Sequence, residues 1–266
     1  MRLLTLNTHS LIDKNSENSA QILAKAIIEQ EIDVIALQEV NQPKNEAIIS
    51  AKSPISYNYP IKNGNYMLKT LNELKKHSQN YTGVWYGFKE SYERYEEGVG
   101  IITRIPIEDT KFLMLSSGME KLQWKKRCAV GIITSYGDFF STHLGWWADR
   151  DEPFSAQWQK LRESADRIPT FIMGDFNAES HIKGEGYDLV KSDGFYDTFC
   201  LAKTRDEGYT VTKKIDGWQT AEKKRIDYIF SNFKASVKSS LRLFDGTNYQ
   251  QISDHAGVMI EIEREQ

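Results

Sequence analysis

The chain has few cysteines, no long apolar run and no surplus of basic residues. Its 266 residues include only two cysteines, Cys128 and Cys200, which are too few for a disulfide framework or a zinc cluster. No stretch approaches the roughly 18 consecutive apolar residues of a membrane span, and the first residues lack the apolar region of a signal peptide. We therefore predict a cytoplasmic protein without a transmembrane segment.

The charges of the chain are nearly balanced. It contains 34 Lys and Arg residues against 37 Asp and Glu residues, which gives a net charge of -3. Proteins whose main role is to coat nucleic acid usually carry a basic excess, so this class is disfavoured, whereas an enzyme that contacts a few phosphates is not. The 40% of hydrophobic residues is enough to build a core in a chain of this length.

Short apolar runs and amphipathic stretches alternate along the whole chain. Apolar residues at helical spacing predict helices over residues 16–31, 66–76 and 151–165. Apolar runs bounded by turn residues predict strands at residues 3–6, 33–40, 98–104, 129–134, 139–143, 170–173, 225–230 and 256–262, with 209–212 as a further candidate. The rest of 52–97 has loop character, and 184–208 is interpreted as helix or loop. Without a linker or repeat, the pattern predicts one α+β domain over residues 1–266.

Several predicted strands end in polar side chains. The apolar strand at residues 170–173 is followed by Gly174, Asp175 and Asn177, and alternate residues of an extended chain point to the same side. Taken alone, this stretch favours an ordinary turn, because Gly, Asp and Asn are common turn residues. Four other predicted strands, however, end at or are preceded by polar residues in the same way, namely Asn7, Glu39, His143, and Asp254 with His255.

If these strand ends converge, they form an oxygen-rich site with two histidines. Such ligands suit a hard cation, Mg²⁺ or Mn²⁺, and not zinc. Since no nucleophilic Ser or Cys is evident, the set indicates hydrolysis of a phosphate ester by activated water. In the alternative interpretation Glu39 points to solvent, Asp227 caps a turn, and His143 and His255 are hydrogen-bonded residues of the core.

Taken in order, the polar motifs resemble the endonuclease/exonuclease/phosphatase superfamily, and the Trp-rich segment after His143 together with the Tyr-rich residues 52–97 resembles its small bacterial members. The motifs are Leu6-Asn7, Gln38-Glu39-Val40, Thr142-His143-Leu144, Gly174-Asp175-Phe176-Asn177, Arg225-Ile226-Asp227-Tyr228-Ile229 and Ser253-Asp254-His255. The resemblance implies a four-layer α/β/β/α sandwich of two packed mixed sheets flanked by helices, with the site at one end of the sheets. It also implies metal-dependent cleavage of a phosphoester.

The resemblance assigns the metal and the water to five of these residues. Glu39 is expected to be the main metal ligand, with Asn7 close to it and Asp254 beside the metal or the water. Asp175 and Asn177 are expected to position the attacking water and the phosphate.

Two histidines carry the proton transfers implied by the resemblance. His255 is expected to be polarised by Asp227, which fixes its tautomer and raises its basicity. His143 is expected to contact the phosphate or assist the leaving group, and Glu97 is expected to support it, with Glu96 as the competing assignment.

Residues that contact the substrate are predicted near two tryptophan-containing segments. Arg127 matches a family arginine that reaches a substrate phosphate, and a guanidinium can bind two phosphate oxygens at once; alternatively it pairs with a surface carboxylate. Trp146 and Trp147 are adjacent, so both cannot point inward, and we expect Trp146 at the rim of the cleft. Trp124 lies beside three cations, in the segment that ends at Arg127.

The motifs define the reaction more firmly than the substrate. A small phosphorylated molecule is favoured, because the basic loops that grip DNA are scarce in this sequence. A DNA or RNA nuclease with the same site is the alternative, and a non-catalytic regulatory or binding module on this fold is the second alternative. No obligate protein partner is evident.

Overall fold

The structure is a computed structural model that describes residues 1–12, 16–49, 55–117, 124–215, 218 and 222–263. Fourteen strands and five helices occur within these residues. In chain order they are β1 (Arg2–Asn7), α1 (Ser16–Glu29), β2 (Val34–Pro43), β3 (Ile55–Tyr57), α2 (Tyr66–Lys76), β4 (Thr82–Ser91), β5 (Tyr95–Thr103), β6 (Asp109–Met114), β7 (Cys128–Thr134), β8 (Gly137–His143), α3 (Phe154–Ser164), β9 (Thr170–Asp175), α4 (Gly186–Ser192), β10 (Tyr196–Asp197), α5 (Thr198–Leu201), β11 (Thr204–Arg205), β12 (Asp227–Ser231), β13 (Val237–Leu243) and β14 (Gly257–Ile262).

The strands form two mixed sheets. The large sheet has the order β11-β13-β14-β1-β2-β5-β4-β3, and the small sheet has the order β10-β12-β9-β8-β7-β6. In the large sheet β1 is parallel to β2 and antiparallel to β14. In the small sheet β9 is parallel to β8 and antiparallel to β12.

Three apolar clusters hold the layers together. The middle cluster joins the facing sides of the two sheets through residues such as Leu3, Val34 and Phe139. A second cluster lies under α1 and α2, and a third lies under α3 and α4. Because side chains alternate between the two faces of a strand, each sheet contributes to the middle cluster and to one outer cluster. The four-layer α/β/β/α sandwich predicted from the sequence is confirmed.

The predicted helices and most predicted strands are present, with shifted ends. Helix α2 has the predicted bounds, and α1 ends at Glu29, two residues early. Helix α3 begins at Phe154 and not at residue 151, because Pro153 disfavours a helical conformation in the residue before it. No described helix is long and apolar enough to cross a membrane. The cytoplasmic location remains a prediction.

Six strands were not predicted, namely the longer strands β4, β6 and β13 and the short strands β3, β10 and β11, and one predicted strand is not formed. Strand β13 was missed because a bulge between Val237 and Ser239 interrupts its register and therefore its two-residue alternation. Strand β4 lies in the region interpreted as loop, and its register also shifts, between Gly87 and Lys89. Strand β6 is the edge of the small sheet and is only partly buried. Within residues 209–212, only one isolated bridge forms, between Val211 and Lys224.

Candidate active site

Three acidic or imidazole side chains lie in one row across the small sheet. His143 ends β8 and is paired with Asp175 at the end of β9. Asp175 is in turn paired with Asp227 at the start of β12. Directly paired residues of neighbouring strands project to the same face. The strand register therefore brings these three predicted site residues together.

The large sheet brings Asn7 and Glu39 to the same place. Asn7 ends β1, and a bulge between Leu37 and Val40 of β2 gives Glu39 a positive φ of 50°. Bulges commonly re-aim a side chain next to an active site. Asn7 Nδ2 donates to Glu39 Oε1 at 3.0 Å and to Asp175 Oδ2 at 3.1 Å. This carboxamide therefore joins the ends of the two sheets.

His255 and Asp227 form a buried pair. His255 Nδ1 lies 2.8 Å from Asp227 Oδ2, and His255 Nε2 lies 4.0 Å from Asp175 Oδ2. Ser253 Oγ accepts from the backbone N–H of His255 and donates to the carbonyl of Asn7, which ties this loop to β1. The pairing of His255 with Asp227 has the geometry that the sequence predicted.

The charged groups in this part of the cleft shift one another's pKa values. Burial opposes protonation of His255, but the negative charge and hydrogen bond of Asp227 outweigh it and raise the pKa of His255 to about 10. Burial and the negative charge of Asp227 raise the pKa of Asp175 to about 7. In the absence of a ligand His255 is therefore an imidazolium at neutral pH.

His143 is held as a neutral imidazole. Burial and the positive charges of Arg127 and Lys89 lower the pKa of His143 well below its usual value. Its Nε2 lies 3.1 Å from Asn177 Nδ2, whose other hydrogen is donated to the carbonyl of Leu144. If Nε2 accepts from Asn177, the proton lies on Nδ1. That Nδ1 has no hydrogen-bond partner among the described residues and lies 4.0 Å from Glu39 Oε1.

The predicted contact of His143 with Glu97 or Glu96 is not formed. Glu97 lies opposite Lys89 in the β4–β5 pair, and its carboxylate is 2.9 Å from Lys89 Nζ. Glu96 binds Lys62 at 2.6 Å. Cross-strand charge pairs are favourable, and this pair was missed because strand β4 was not predicted. The correction is that, within the described residues, neither glutamate supports His143.

Arg127 and Trp146 both line the cleft. Arg127 Nη1 donates only to the carbonyls of Trp124 and Lys126, and its Nε has no partner among the described residues. The expected alternative, an ion pair with a surface carboxylate, is not found in the described part of the chain. Trp146 faces the cleft while Trp147 packs on Phe154, with ring centroids 6.1 Å apart.

The cleft has a volume of about 450 Å³. Besides the predicted site residues its wall includes several that sequence reasoning did not assign to the site, namely Lys89, Glu90, Ser91, Tyr92, Lys214 and Ile215. Lys89 and its neighbours belong to the β4–β5 hairpin. The run of aromatic and β-branched residues from Thr82 to Phe88 was the available signal for this strand.

The donor set fits a hard divalent cation. Glu39 and Asp175 direct carboxylate oxygens at the same carboxamide nitrogen of Asn7. Burial and the negative charge of Glu97 raise the pKa of Glu39. A cation bound here would therefore stabilise the ionised form of this buried carboxylate. Asp175, Asp227 and His255 also place ligand atoms within 4.8 Å of one another. In that group, however, Asp227 Oδ2 is already engaged with His255.

Asp254 and His9 lie at the edge of the same cleft. The carboxylate of Asp254 is partly exposed, and its Oδ1 is 3.9 Å from His9 Nδ1. Asp254 thus lines the cleft beside His255 without a contact to Glu39 in the described structure. Its predicted role near the metal or the water stays a prediction.

A sequence profile described as "Endonuclease/Exonuclease/phosphatase family" matches residues 4–255. No curated protein matches the chain. Among solved structures, an endonuclease/exonuclease/phosphatase family protein from Leptotrichia buccalis C-1013-b is 33% identical, with a TM-score of 0.88 over 99% of this chain and 100% of that chain.

Two further structures share the fold at lower identity. The mannosyl-6-phosphatase of Bacteroides thetaiotaomicron VPI-5482 is 16% identical, with a TM-score of 0.68 over 99% of this chain and 100% of that one. The 3' phosphatase NExo from Neisseria, bound to a product DNA hairpin, is also 16% identical, with a TM-score of 0.66 over the same shares. Their identities are too low to carry a substrate from one protein to another.

Proposed function

Because the chain belongs to the endonuclease/exonuclease/phosphatase family, we propose that it is a divalent-metal-dependent phosphoesterase acting on a small phosphorylated molecule. The observation that carries the proposal is the convergence of both sheets on one cleft. Asn7 bonds to Glu39 of the large sheet and to Asp175 of the small sheet. The His255–Asp227 pair lies beside them.

Glu39 and Asp175, with Asn7 and Asp254 nearby, would hold Mg²⁺ or Mn²⁺. A cation bound there would neutralise phosphate charge and, by repelling the imidazolium, lower the pKa of His255. His255 Nε2 would then accept a proton from the attacking water, while Asp227 holds the ring by its Nδ1–H.

The other polar groups of the cleft, together with Asp175, would bind and orient the water and the phosphate. Asp175 and Asn177 would position the water and the phosphate, and Nδ1–H of His143 would donate to a phosphate or leaving-group oxygen. Arg127 has a buried Nε without a partner in the described residues. Nη1 already donates to two backbone carbonyls, and the remaining N–H groups of the guanidinium would bind phosphate oxygens.

The charges of the cleft wall favour a small substrate over a nucleic acid. Among the described residues of the wall, five Asp and Glu side chains outnumber the three Lys and Arg side chains, Lys89, Arg127 and Lys214, and Lys89 is already paired with Glu97. A nucleic acid is held mainly by basic residues that contact several phosphates. The shared fold of a sugar phosphatase and a DNA 3' phosphatase is compatible with both substrate classes, so the preference for a small substrate is supported by the charge of the wall alone.

The proposal is tested by hydrolysis of p-nitrophenyl phosphate and bis(p-nitrophenyl) phosphate with Mg²⁺, Mn²⁺ or EDTA. We expect metal-dependent release that is lost in Glu39→Ala and His255→Ala and kept in the exposed controls Glu46→Ala and His181→Ala. Release from plasmid DNA or RNA alone, weakening steeply with salt, would support the nuclease instead. No release from any substrate and no metal binding would favour the non-catalytic module.

A further inference from the structure

Two tryptophans, the exposed Trp124 and the half-buried Trp146, form an aromatic wall on one side of the cleft. Trp124 and Trp146 have ring centroids 6.2 Å apart and ring planes inclined by 52°. Trp124 is 56% exposed although it lines a cavity. A large aromatic face left in contact with water inside a cleft is unfavourable unless a ligand covers it.

The aromatic wall is braced by ion pairs between its two segments. Lys125 Nζ lies 2.9 Å from a carboxylate oxygen of Asp149 and 2.7 Å from one of Asp151, so the segment of Trp124 is tied to the loop that carries Trp146. Glu152 of the same loop accepts from the backbone N–H and hydroxyl of Ser117. The Lys125 ion pairs thus hold the two segments that carry Trp124 and Trp146 close to each other before a ligand binds.

The wall is also connected to the cations of the cleft. The carbonyl of Trp124 accepts from Lys89 Nζ at 3.2 Å and from Arg127 Nη1 at 3.3 Å. The Arg127 guanidinium lies 5.4 Å from the ring of Trp146, within the range of a cation–π contact. Arg127 immediately precedes Cys128, which is paired with His143. A phosphate bound by Arg127 and His143 would therefore have the aromatic wall next to its ester group.

We propose that the aromatic wall stacks on a ring in the substrate, so that the preferred substrates are phosphate esters of ring-containing compounds. This inference rests on the proposed function and specifies its substrate class. A sugar ring and a nucleobase both offer a flat face to a tryptophan, whereas an acyclic phosphate does not. The cavity of about 450 Å³ is within the usual range for a small-molecule site.

The test compares ring-containing and acyclic phosphates in wild type and in Trp124→Ala. We expect kcat/KM for glucose 6-phosphate or AMP to fall about tenfold, as for the loss of one stacking contact, while that for glycerol 3-phosphate changes little. The larger loss, with the sugar phosphate or with AMP, identifies the kind of ring. Trp124→Phe should keep most of the activity, and Trp147→Phe, which alters the tryptophan packed on Phe154, is the matched control.

Calorimetry separates this inference from the proposed function. Binding of the same phosphates to the metal-free protein in EDTA is measured for wild type, Trp124→Ala and Trp146→Ala, with thermal melting as the check of folding. Metal-dependent hydrolysis with equal losses for ring and acyclic phosphates would overturn the inference and leave the proposed function standing. Binding of ring phosphates that depends on Trp124, without hydrolysis of any ester, would support the inference and refute the function. Equal binding of ring-containing and acyclic phosphates to the metal-free wild type would also overturn the inference.

Discussion

At the scale of single residues, the cleft depends on the electrostatic interaction of His255 with two carboxylates, Asp227 and Asp175. Asp227 binds His255 Nδ1 at 2.8 Å, and Asp175 faces the other ring nitrogen at 4.0 Å. One carboxylate therefore fixes the tautomer, while the other lies where a water or phosphate would bind. The negative charges of the same two carboxylates keep the ligand-free imidazole of His255 protonated, with a pKa of about 10.

Asp227→Asn removes the negative charge but keeps the shape of the side chain. We expect kcat to fall by about 100-fold or more, because the histidine loses basicity and its fixed tautomer. KM should change much less, since Asp227 lies behind the ring and not against the substrate. A steady-state assay with Mg²⁺ measures both, with Asp188→Asn, a partly exposed carboxylate of α4, as the control. An unchanged kcat would contradict the assigned contact.

The same pair makes stability depend on pH. The pKa of His255 is raised from 6.5 to about 10 by folding, so its stabilisation is fully present below pH 6.5 and is lost as the pH rises through 10. Denaturant unfolding in EDTA at pH 6, 8 and 10 should therefore show a steeper loss of unfolding free energy in wild type than in Asp227→Asn. Parallel curves for the two proteins would show that Asp227 does not hold the proton on His255.

At the scale of elements, the site depends on how closely β8 and β9 approach each other. Gly174 is paired with Thr142, and a Cβ added at Gly174 would overlap the carbonyl oxygen of Thr142. Since Asp175 is the next residue, any widening of this strand pair displaces the carboxylate from Asn7 and His143.

Gly174→Ala tests this close approach. We expect the free energy of unfolding to fall by about 2–3 kcal/mol, as for overpacking of a core, and activity to fall with it. The control is Gly194→Ala, whose added Cβ meets no atom within 4 Å and carries only a backbone cost of about 1–2 kcal/mol for its left-handed φ. Chemical denaturation measures both variants. Equal stability of Gly174→Ala and wild type would exclude the strand pairing described here.

The β4–β5 pair carries a buried ion pair that can be broken from one side. Lys89 and Glu97 have side chains only 7% and 5% exposed. Lys89→Met leaves a buried carboxylate unpaired, and we expect a loss of roughly 3–5 kcal/mol. The double variant Lys89→Met with Glu97→Gln should recover a large part of that loss in urea denaturation. No recovery would mean that the two side chains are not coupled.

At the scale of the whole molecule, much of the architecture and most of the cleft could be predicted from the sequence. The strands that end in Asn7, His143 and Asp175 are strongly apolar, so the polar residue at the end of each strand is easily recognised in the sequence. Gly, Asp and Asn at the end of β9 favoured a turn when taken alone, and only the ordered set of motifs changed the interpretation.

The parts that escaped prediction depend on long-range pairing. The bulge that gives Glu39 a positive φ involves β5, more than 50 residues away in sequence, and leaves no local signal. Lys89 was missed because β4 is surrounded by Tyr, Asn and Ser and was interpreted as loop. The assignment of Glu97 to His143 failed for the same reason, since its true partner lies on that strand.

The central claim is that Glu39 binds the divalent cation and that His255, in the same cleft, accepts the proton of the attacking water. The most direct test is the initial rate of phosphate release as Mg²⁺ is titrated, for wild type, Glu39→Gln and His255→Gln. We predict that Glu39→Gln needs at least about tenfold more Mg²⁺ to reach half of its maximal rate, while His255→Gln needs no more Mg²⁺ than wild type, because it lacks the imidazolium that repels the cation, and has a much lower maximal rate. Release that needs no metal, or a midpoint that is the same in Glu39→Gln and wild type, would contradict the account.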